Sequence, residues 1–540
     1  MTIRAFPKIS KAAPKSANIA DATLRDFSGG LTIVDDDIAL KSRFSSVLDN
    51  LLVNNDYSYV LRFGTKEIAT TAANIIGLYY FAGALIAVLA NGTIQKVTLA
   101  GVVTTPWAAG WTAGASHTDF TEKDGKLIIT NNQDKPVLVD QAITIGYLKD
   151  LGTNSNINTP ILEHITTVGN YVVGAFGGVN PEIIISSAGT SGTWVGDPIP
   201  NDSRRFNLGG YIPSSNGRIT GLHSFKNKLI VFFYNAIVVV ELGNYDASGM
   251  HQPKVVDTIF GVGSLSHKLV TVSEEEFFFM SANGVYSVNK NTFGETFRSK
   301  ERSDAIRKLM IKNLPTAAGL EVSDSFAVED RNNNRIFYSV KRADGTKFLV
   351  SLTYSPQGDK LHWSTLSGWD FDGACVSEQK RVFFYKGNKI YQYGNDIYAG
   401  ENFYADYITA ANPVGVDITF DWETPWLDAN IRQKKKKLLF INGDTGGTAS
   451  FNLAAFVDKF YRNNLGALVP AVSMQLRAGE AIGYGYPSVG YGGGRRFSDE
   501  RPFGFPTEFK LIKLKVTGAT KEPLRFVSIS MIYQIRGYAR

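Results

Sequence analysis

One short pattern recurs through most of this chain and constrains its fold more than any other feature. Apolar runs of three or four residues begin at Leu85, Leu127, Tyr171, Leu229, Phe277, Ile336 and Val382, with spacings of 42, 44, 58, 48, 59 and 46 residues. Each follows a polar or glycine turn, and a second run comes within reach of a tight hairpin. Asn91-Gly92, Asn283-Gly284 and Gly387-Asn388 supply the positive φ such turns require. A period near 50 residues with about four short strands per repeat is the spacing of a β-propeller, in which radial repetition buries each sheet against the next. The spacing predicts six or seven blades, with these runs as the first strands of their hairpins. Its irregularity leaves open separate hairpins assembled into β-sandwiches.

After about residue 400 the rhythm stops. Asp417 to Phe440 opens a pattern of longer strands, and near the end Val527, Ile529, Met531, Tyr533 and Ile535 alternate with Ser528, Ser530, Ile532 and Gln534. The reading is an all-β protein: an N-terminal arm and first strand over 1–50, a propeller over 51–400, and a β-sandwich-like domain over 401–540. The 52 glycines, 24 tyrosines and 34 phenylalanines among 540 residues fit strands and turns better than helices.

Residues 70–90 (TTAANIIGLYYFAGALIAVLA) are long enough to cross a bilayer, but they lack flanking charge asymmetry and run into Asn91-Gly92. Two buried strands around Gly83 are expected, with no stable membrane insertion. Residues 1–20 carry four basic side chains and no acid, without the apolar stretch of a secretion signal, and read as a mobile or docking arm. Cys375 is the single cysteine, which excludes an internal disulfide framework and a cysteine-based zinc site. The net charge of +6, from 56 basic and 50 acidic residues, is too small to hold a polyanion at physiological salt.

The chemistry-bearing residues form no recognisable motif. His117, His164, His223, His251, His267 and His362 are scattered along the chain, with no pair four residues apart and no HExxH, so no metal site is expected. There is no nucleophile elbow, phosphate-binding loop or dinucleotide fingerprint. No catalytic residue and no cofactor follow. Glu274, Glu275 and Glu276 read as solvated surface. The sharpest enzymatic rival is a propeller glycosidase with two carboxylates from different blades at one mouth, and a glycan-binding propeller is the third reading. Residues 187–194 (SAGTSGTW) partly resemble the Asp-box turn of sialidase-like propellers, but Gly189 stands at the Asp position and the turn occurs once.

Two segments are candidates for contact. Lys434, Lys435, Lys436 and Lys437 form the strongest basic run; on a strand they alternate between faces, which leaves half for DNA or a neighbouring subunit. Residues 483–494 (GYGYPSVGYGGG) hold six glycines, so they form a loop or arm, and Tyr484, Tyr486 and Tyr491 are suited to an interface or a channel-lining tip.

Arg25-Asp26-Phe27-Ser28-Gly29-Gly30-Leu31, residues 124–140 (DGKLIITNNQDKPVLVD), 182–194 (EIIISSAGTSGTW), 217–243 and 261–288 resemble segments of the tail hub, nozzle (tail tubular protein B-like) and packaged-DNA stabilisation proteins of short-tailed bacteriophages. The resemblance is one of pattern over about residues 21–400, and the C-terminal segment matches less well. It implies a non-enzymatic virion protein, assembled in the host cytoplasm. The chain would form a homo-oligomeric, hexameric ring below portal and adaptor proteins, beside other tail proteins. That ring would be part of the conduit that retains genome DNA and lets it leave.

Overall fold

The structure is a computed structural model. It describes residues 19–33, 41–108, 110–148, 160–189, 194, 204–213, 217–245, 252–272, 276–290, 297–313, 324–342, 344–354, 361–394, 403–428, 434–457, 470, 472–478, 495–498 and 508–538. The chain divides into two compact units, one comprising Arg62–Thr419 with Leu31–Val34, the other Met1–Gly30, Asp35–Leu61 and Phe420–Arg540.

The larger unit is a seven-bladed β-propeller. Blade 1 is Ile75–Phe81, Ala84–Leu89, Ile94–Thr98 and Val103–Trp107; blade 2 is Asp119–Lys123, Lys126–Thr130, Val137–Val139 and Ile145–Tyr147. Blade 3 is His164–Val168, Tyr171–Ala175, Glu182–Ile185 and Arg204–Asn207; blade 4 is Ile219–Phe225, Lys228–Phe233, Ala236–Glu241 and Lys254–Phe260. Blade 5 is Val270–Val272, Glu276–Ser281, Gly284–Lys290 and Phe297–Glu301; blade 6 is Phe326–Asp330, Arg335–Lys341, Lys347–Tyr354 and Leu361–Leu366. Blade 7 takes three strands from Gly373–Val376, Val382–Lys386 and Lys389–Tyr393, and its fourth, Thr65–Thr70, from the start of the unit. The first strands of the blades neighbour one another around the axis, and Gly373–Val376 of blade 7 lies against Ile75–Phe81 of blade 1. The ring is therefore closed by strand pairing between the two ends of the unit.

The seven apolar runs read from the sequence are the second strands of their blades, not the first. A second strand is covered on both faces by adjacent blades, so it is apolar at nearly every position: Ala84–Leu89 is buried throughout, as are Leu127–Thr130 and Tyr171–Ala175. The first strand, with its unpaired edge toward the axis, carries more polar residues and glycines, as in DFTEK, HITTV, ITGLHSF and FAVED. Between blades the second-strand side chains form shared cores. Leu229, Val231 and Val238 of blade 4 meet Val173, Ile183 and Ile185 of blade 3, and Phe383 and Ile390 of blade 7 meet Leu85 and Ala87 of blade 1.

The stretch 70–90 forms two strands of blade 1 around a turn in which Ala82 and Gly83 have φ of 47° and 80°. Among the described residues no helix is long and apolar enough to cross a membrane.

The second unit has two antiparallel sheets. Lys434–Gly447 and Leu524–Tyr538 form the centre of one, and Ile512–Thr520, Ser450–Val457 and the end of Val416–Glu423 from Phe420 on the body of the other, so residues 403–419, read as part of this domain, fall in the propeller unit. Phe526 of the first sheet meets Trp422 and Phe451 of the second at ring-centroid distances of 5.9 and 5.2 Å, the interior of a sandwich. The sequence reading placed this domain wholly at 401–540. In fact Ile19–Leu24 pairs along Ile529–Gln534, Tyr59–Leu61 pairs with Phe526 and Arg525, and Val47–Asp49 pairs with Asp421–Glu423. Residues 51–61, read as the start of the propeller, thus belong to the sandwich. Phe27, within the RDFSGGL opening, is 1% exposed and stacks on Tyr59 at 4.6 Å beside Trp422.

The terminal alternation also needs one correction. Ile529, Met531 and Tyr533 are buried as expected, but Val527 is 37% exposed. It is the extra residue of a β-bulge, because Asp444 pairs with Ser528 and Thr445 pairs with Phe526.

Candidate functional site

The contact candidates do not converge. Tyr484, Tyr486 and Tyr491, the rest of the 483–494 loop and residues 1–18 of the arm lie outside the described residues. The lysine run opens the strand Lys434–Gly447 with a bulge between Lys435 and Lys436. Lys436 is fully buried: its Nζ donates to the Lys510 carbonyl at 2.9 Å and lies 5.5 Å from the Phe509 ring. It is part of the sandwich interior and unavailable to a phosphate, which leaves Lys434, Lys435 and Lys437 half-buried along the strand.

Glu276 is not solvated surface either. Both of its oxygens accept from Arg302 Nη2, at 2.8 and 2.7 Å, and both side chains are largely covered. The ion pair ties the second strand of blade 5 to the residue that follows its fourth. Glu274 and Glu275 lie outside the described residues.

The histidines are where the structure departs most from the sequence reading. His117 lies two residues before the inner strand of blade 2, His164 opens that of blade 3, and His267 sits in the 3-10 turn His267–Leu269 leading into blade 5. Their rings come together: centroids are 5.1 Å apart for His117 and His164, 4.7 Å for His117 and His267, and 4.9 Å for His164 and His267. One ring nitrogen of each lies within 4.8 Å of those of the other two. His223 stands nearby on the inner strand of blade 4, where Asp119, His164 and the His267 backbone all act on its ring. Gly221 lets that strand approach, since a Cβ there would lie 2.9 Å from His267 Cα.

Asp119 is the carboxylate of the cluster. Its oxygens accept from the backbone N–H groups of Phe120 (2.8 Å) and Ile165 (3.0 Å), and they stand 3.7 Å from His164 Nδ1 and 3.9 Å from His267 Nε2. His117 Nε2 lies 2.6 Å from the Glu163 carbonyl, and His267 Nε2 lies 3.2 Å from the Thr118 carbonyl. His164 Nδ1 is buried without a hydrogen-bond partner.

The contacts reach across the propeller axis. Thr118 of blade 2, Lys268 of blade 5 and Tyr385 of blade 7 all direct polar atoms at the Ile76 carbonyl of blade 1, at 3.1, 3.2 and 3.4 Å. At this level the axis is filled by side chains.

Burial decides the charge state here. It pushes His117 down to about 3 and His223 down to about 4, and holds His267 well below the usual imidazole range, with neighbouring cationic groups acting in the same direction on His117 and His267. Burial also lowers Lys268. For Asp119 burial alone would raise the carboxyl, but His267, His164 and the Ile165 N–H outweigh it and hold it below the ordinary range. The site is a set of closely spaced imidazoles around one carboxylate, a donor set able to hold a metal ion.

Short-range motif spacing could not reveal this cluster, but the blade period could have. His117, His164, His223 and His267 follow one another at 47, 59 and 44 residues, the same rhythm as the apolar runs, so they occupy similar positions on four successive blades.

No protein-family model matches the chain, and no curated protein matches it. Many solved structures are similar to it, among them these two. One is titled "YCF48 bound to D1 peptide", at 11% identity over 63% of this chain and 97% of that one, with a TM-score of 0.37. The other is titled "Crystal Structure of Mitotic Checkpoint Complex", at 10% identity over 73% of this chain and 100% of that one, with a TM-score of 0.38.

Proposed function

We propose that this chain is a non-enzymatic structural protein of a virus particle, a hub or nozzle component in the tail of a short-tailed bacteriophage. The observation that carries the reading is the filled propeller axis, together with the phage-like segments on which the blades are built. Residues 124–140 span the second and third strands of blade 2, and 217–243 span three strands of blade 4. An enzyme of this fold would present its chemistry at an open axial mouth. Here His117, His164, His267 and Lys268 occupy the axis, and the carboxylates at hand are engaged: Glu163 with Arg218, Glu276 with Arg302, Asp119 with two backbone N–H groups.

A filled axis also defines where DNA would pass. Histidine rings from blades 2, 3 and 5 only 4.7–5.1 Å apart leave no bore for a DNA duplex at this level. In this proposal the conduit is formed between chains, by a homo-oligomeric ring of six, and each propeller is a rigid wall segment beside portal, adaptor and other tail proteins. Near balance of charge suits such a wall, because duplex DNA carries one charge per about 1.7 Å of axis and a strongly basic lining would hold it by ion pairing.

The test is to image particles carrying a labelled version of this chain and to measure its mass by light scattering with and without its docking platform. Label at the tail axis and a six-fold ring on the platform are expected. Particles without label, or a monomer that cleaves glycans, would overturn the reading.

A further inference from the structure

We propose that His117, His164 and His267 form a binding site for one divalent transition-metal ion of the zinc, cobalt or nickel class, with Asp119 as the accompanying carboxylate. The ion would tie blades 2, 3 and 5 together across the propeller axis. The proposal does not depend on the tail reading.

Three observations converge. First, the donor set is right: three imidazoles whose ligand atoms converge suit zinc and its borderline neighbours, the Asp119 carboxylate stands beside two of them, and Cys375, which would favour a softer ion, is buried in blade 7. Tetrahedral zinc with nitrogen at about 2.0–2.1 Å sets its ligand atoms roughly 3.4 Å apart. Ring nitrogens already within 4.8 Å of one another reach that spacing by small side-chain rotations.

Second, the surroundings orient the rings as metal-bound histidines are oriented. His117 and His267 each turn one nitrogen to a backbone carbonyl, of Glu163 and Thr118, which fixes that nitrogen as the N–H and leaves the other's lone pair for a ligand. Third, His164 is 3% exposed and its Nδ1 has no hydrogen-bond partner, although such a buried polar atom ordinarily finds one. Asp119 stands 3.7 Å from that atom, beyond hydrogen-bond reach, and its position is set by two backbone N–H groups. An ion between these groups would engage a polar atom that the protein otherwise leaves unsatisfied.

The ligands come from three blades, so binding would select the closed ring over any opened form and raise its stability with free metal concentration. The experiment uses tag-free full-length chain, stripped with a chelator and titrated with zinc by calorimetry and with cobalt by visible absorption. We expect one equivalent per chain, the visible band of tetrahedral cobalt, and a thermal midpoint that rises with free zinc and returns on chelation. His117→Gln, at the half-buried ligand, and His164→Gln should weaken binding at least tenfold, while His362→Gln in blade 6 leaves it unchanged. Absence of uptake by the folded wild-type chain, or equal uptake by folded His117→Gln, would overturn the proposal. Should the ligand variants fail to fold, the wild-type titration decides alone.

Discussion

Arg62 and Asp406 form a two-pronged ion pair in the interior of the propeller unit, Nη1 to Oδ1 at 2.8 Å and Nη2 to Oδ2 at 2.5 Å, with side-chain exposures of 0% and 4%. Trp369 completes the group: its Nε1 donates to Asp406 at 3.0 Å and its ring lies 4.4 Å from the guanidinium carbon. Residues 344 apart in the chain are thereby locked beside the strand that closes blade 7.

Asp406→Ala leaves the Arg62 charge buried without its carboxylate, and a loss of about 3–5 kcal/mol is expected in urea denaturation. The double variant Arg62→Leu with Asp406→Ala should recover part of that loss, because the unpaired charge is gone. A double variant as unstable as the single one would show that the ion pair is not the source.

The closure of blade 7 contrasts two kinds of contact. Phe383 is fully buried in the core shared by blades 7 and 1, whereas Lys389 reaches Glu67 across the closing strand with 42% of its side chain exposed. Phe383→Ala should cost about 3–5 kcal/mol, and Lys389→Ala at most about 1 kcal/mol. Denaturant midpoints at constant slope measure both.

Gly221→Ala tests the approach of blade 4 to the histidine cluster. The added methyl would meet His267 Cα at 2.9 Å, backbone that a rotamer change cannot clear. Overpacking of this kind costs about 1–3 kcal/mol, and the His267 imidazole resonances should move in the folded variant while those of His362 stay in place.

Glu423 gives the sandwich an acid-sensitive contact. Burial alone would raise its carboxyl, but Lys515 at 2.7 Å and Lys513 at 3.1 Å outweigh this and hold it below the ordinary range. A carboxyl depressed in the folded state contributes fully above its unfolded value of about 4.3 and loses that contribution as pH falls through the folded value. The stability advantage of the wild type over Glu423→Gln should therefore be largest near neutrality and shrink on acidification. An advantage independent of pH would assign the effect to packing.

What the sequence revealed follows from how each segment is covered. Second strands such as Leu229–Phe232 are packed on both faces and announce themselves as unbroken apolar runs, so the propeller and its period were legible. Inner strands such as Asp119–Lys123 mix polar and apolar residues and make no apolar run, so the reading began each blade one strand late. The assignment of Tyr59–Leu61 to the sandwich was hidden because its partner, Phe526, is distant in sequence and nothing in three residues names it. The histidine cluster was missed because ligand motifs are ordinarily sought within one element, while these residues are set by the repeat.

The pairing of the chain's two ends gives synthesis a particular order. Thr23 meets its hydroxyl partner Ser530 across 507 residues, and Glu67 meets Lys389 across 322. At about 5–20 residues per second, the first sandwich strand leaves the ribosome roughly half a minute to two minutes before its partner exists. During that interval Phe27, Leu51, Leu52 and Tyr59, which end fully enclosed, are apolar surface on a nascent chain. The blades between can collapse locally as they emerge, but the ring and the sandwich can be completed only late. The hazardous period is set by the length of chain between the paired strands, and a chaperone that shields the earlier-made strands would act where the fold itself offers no protection.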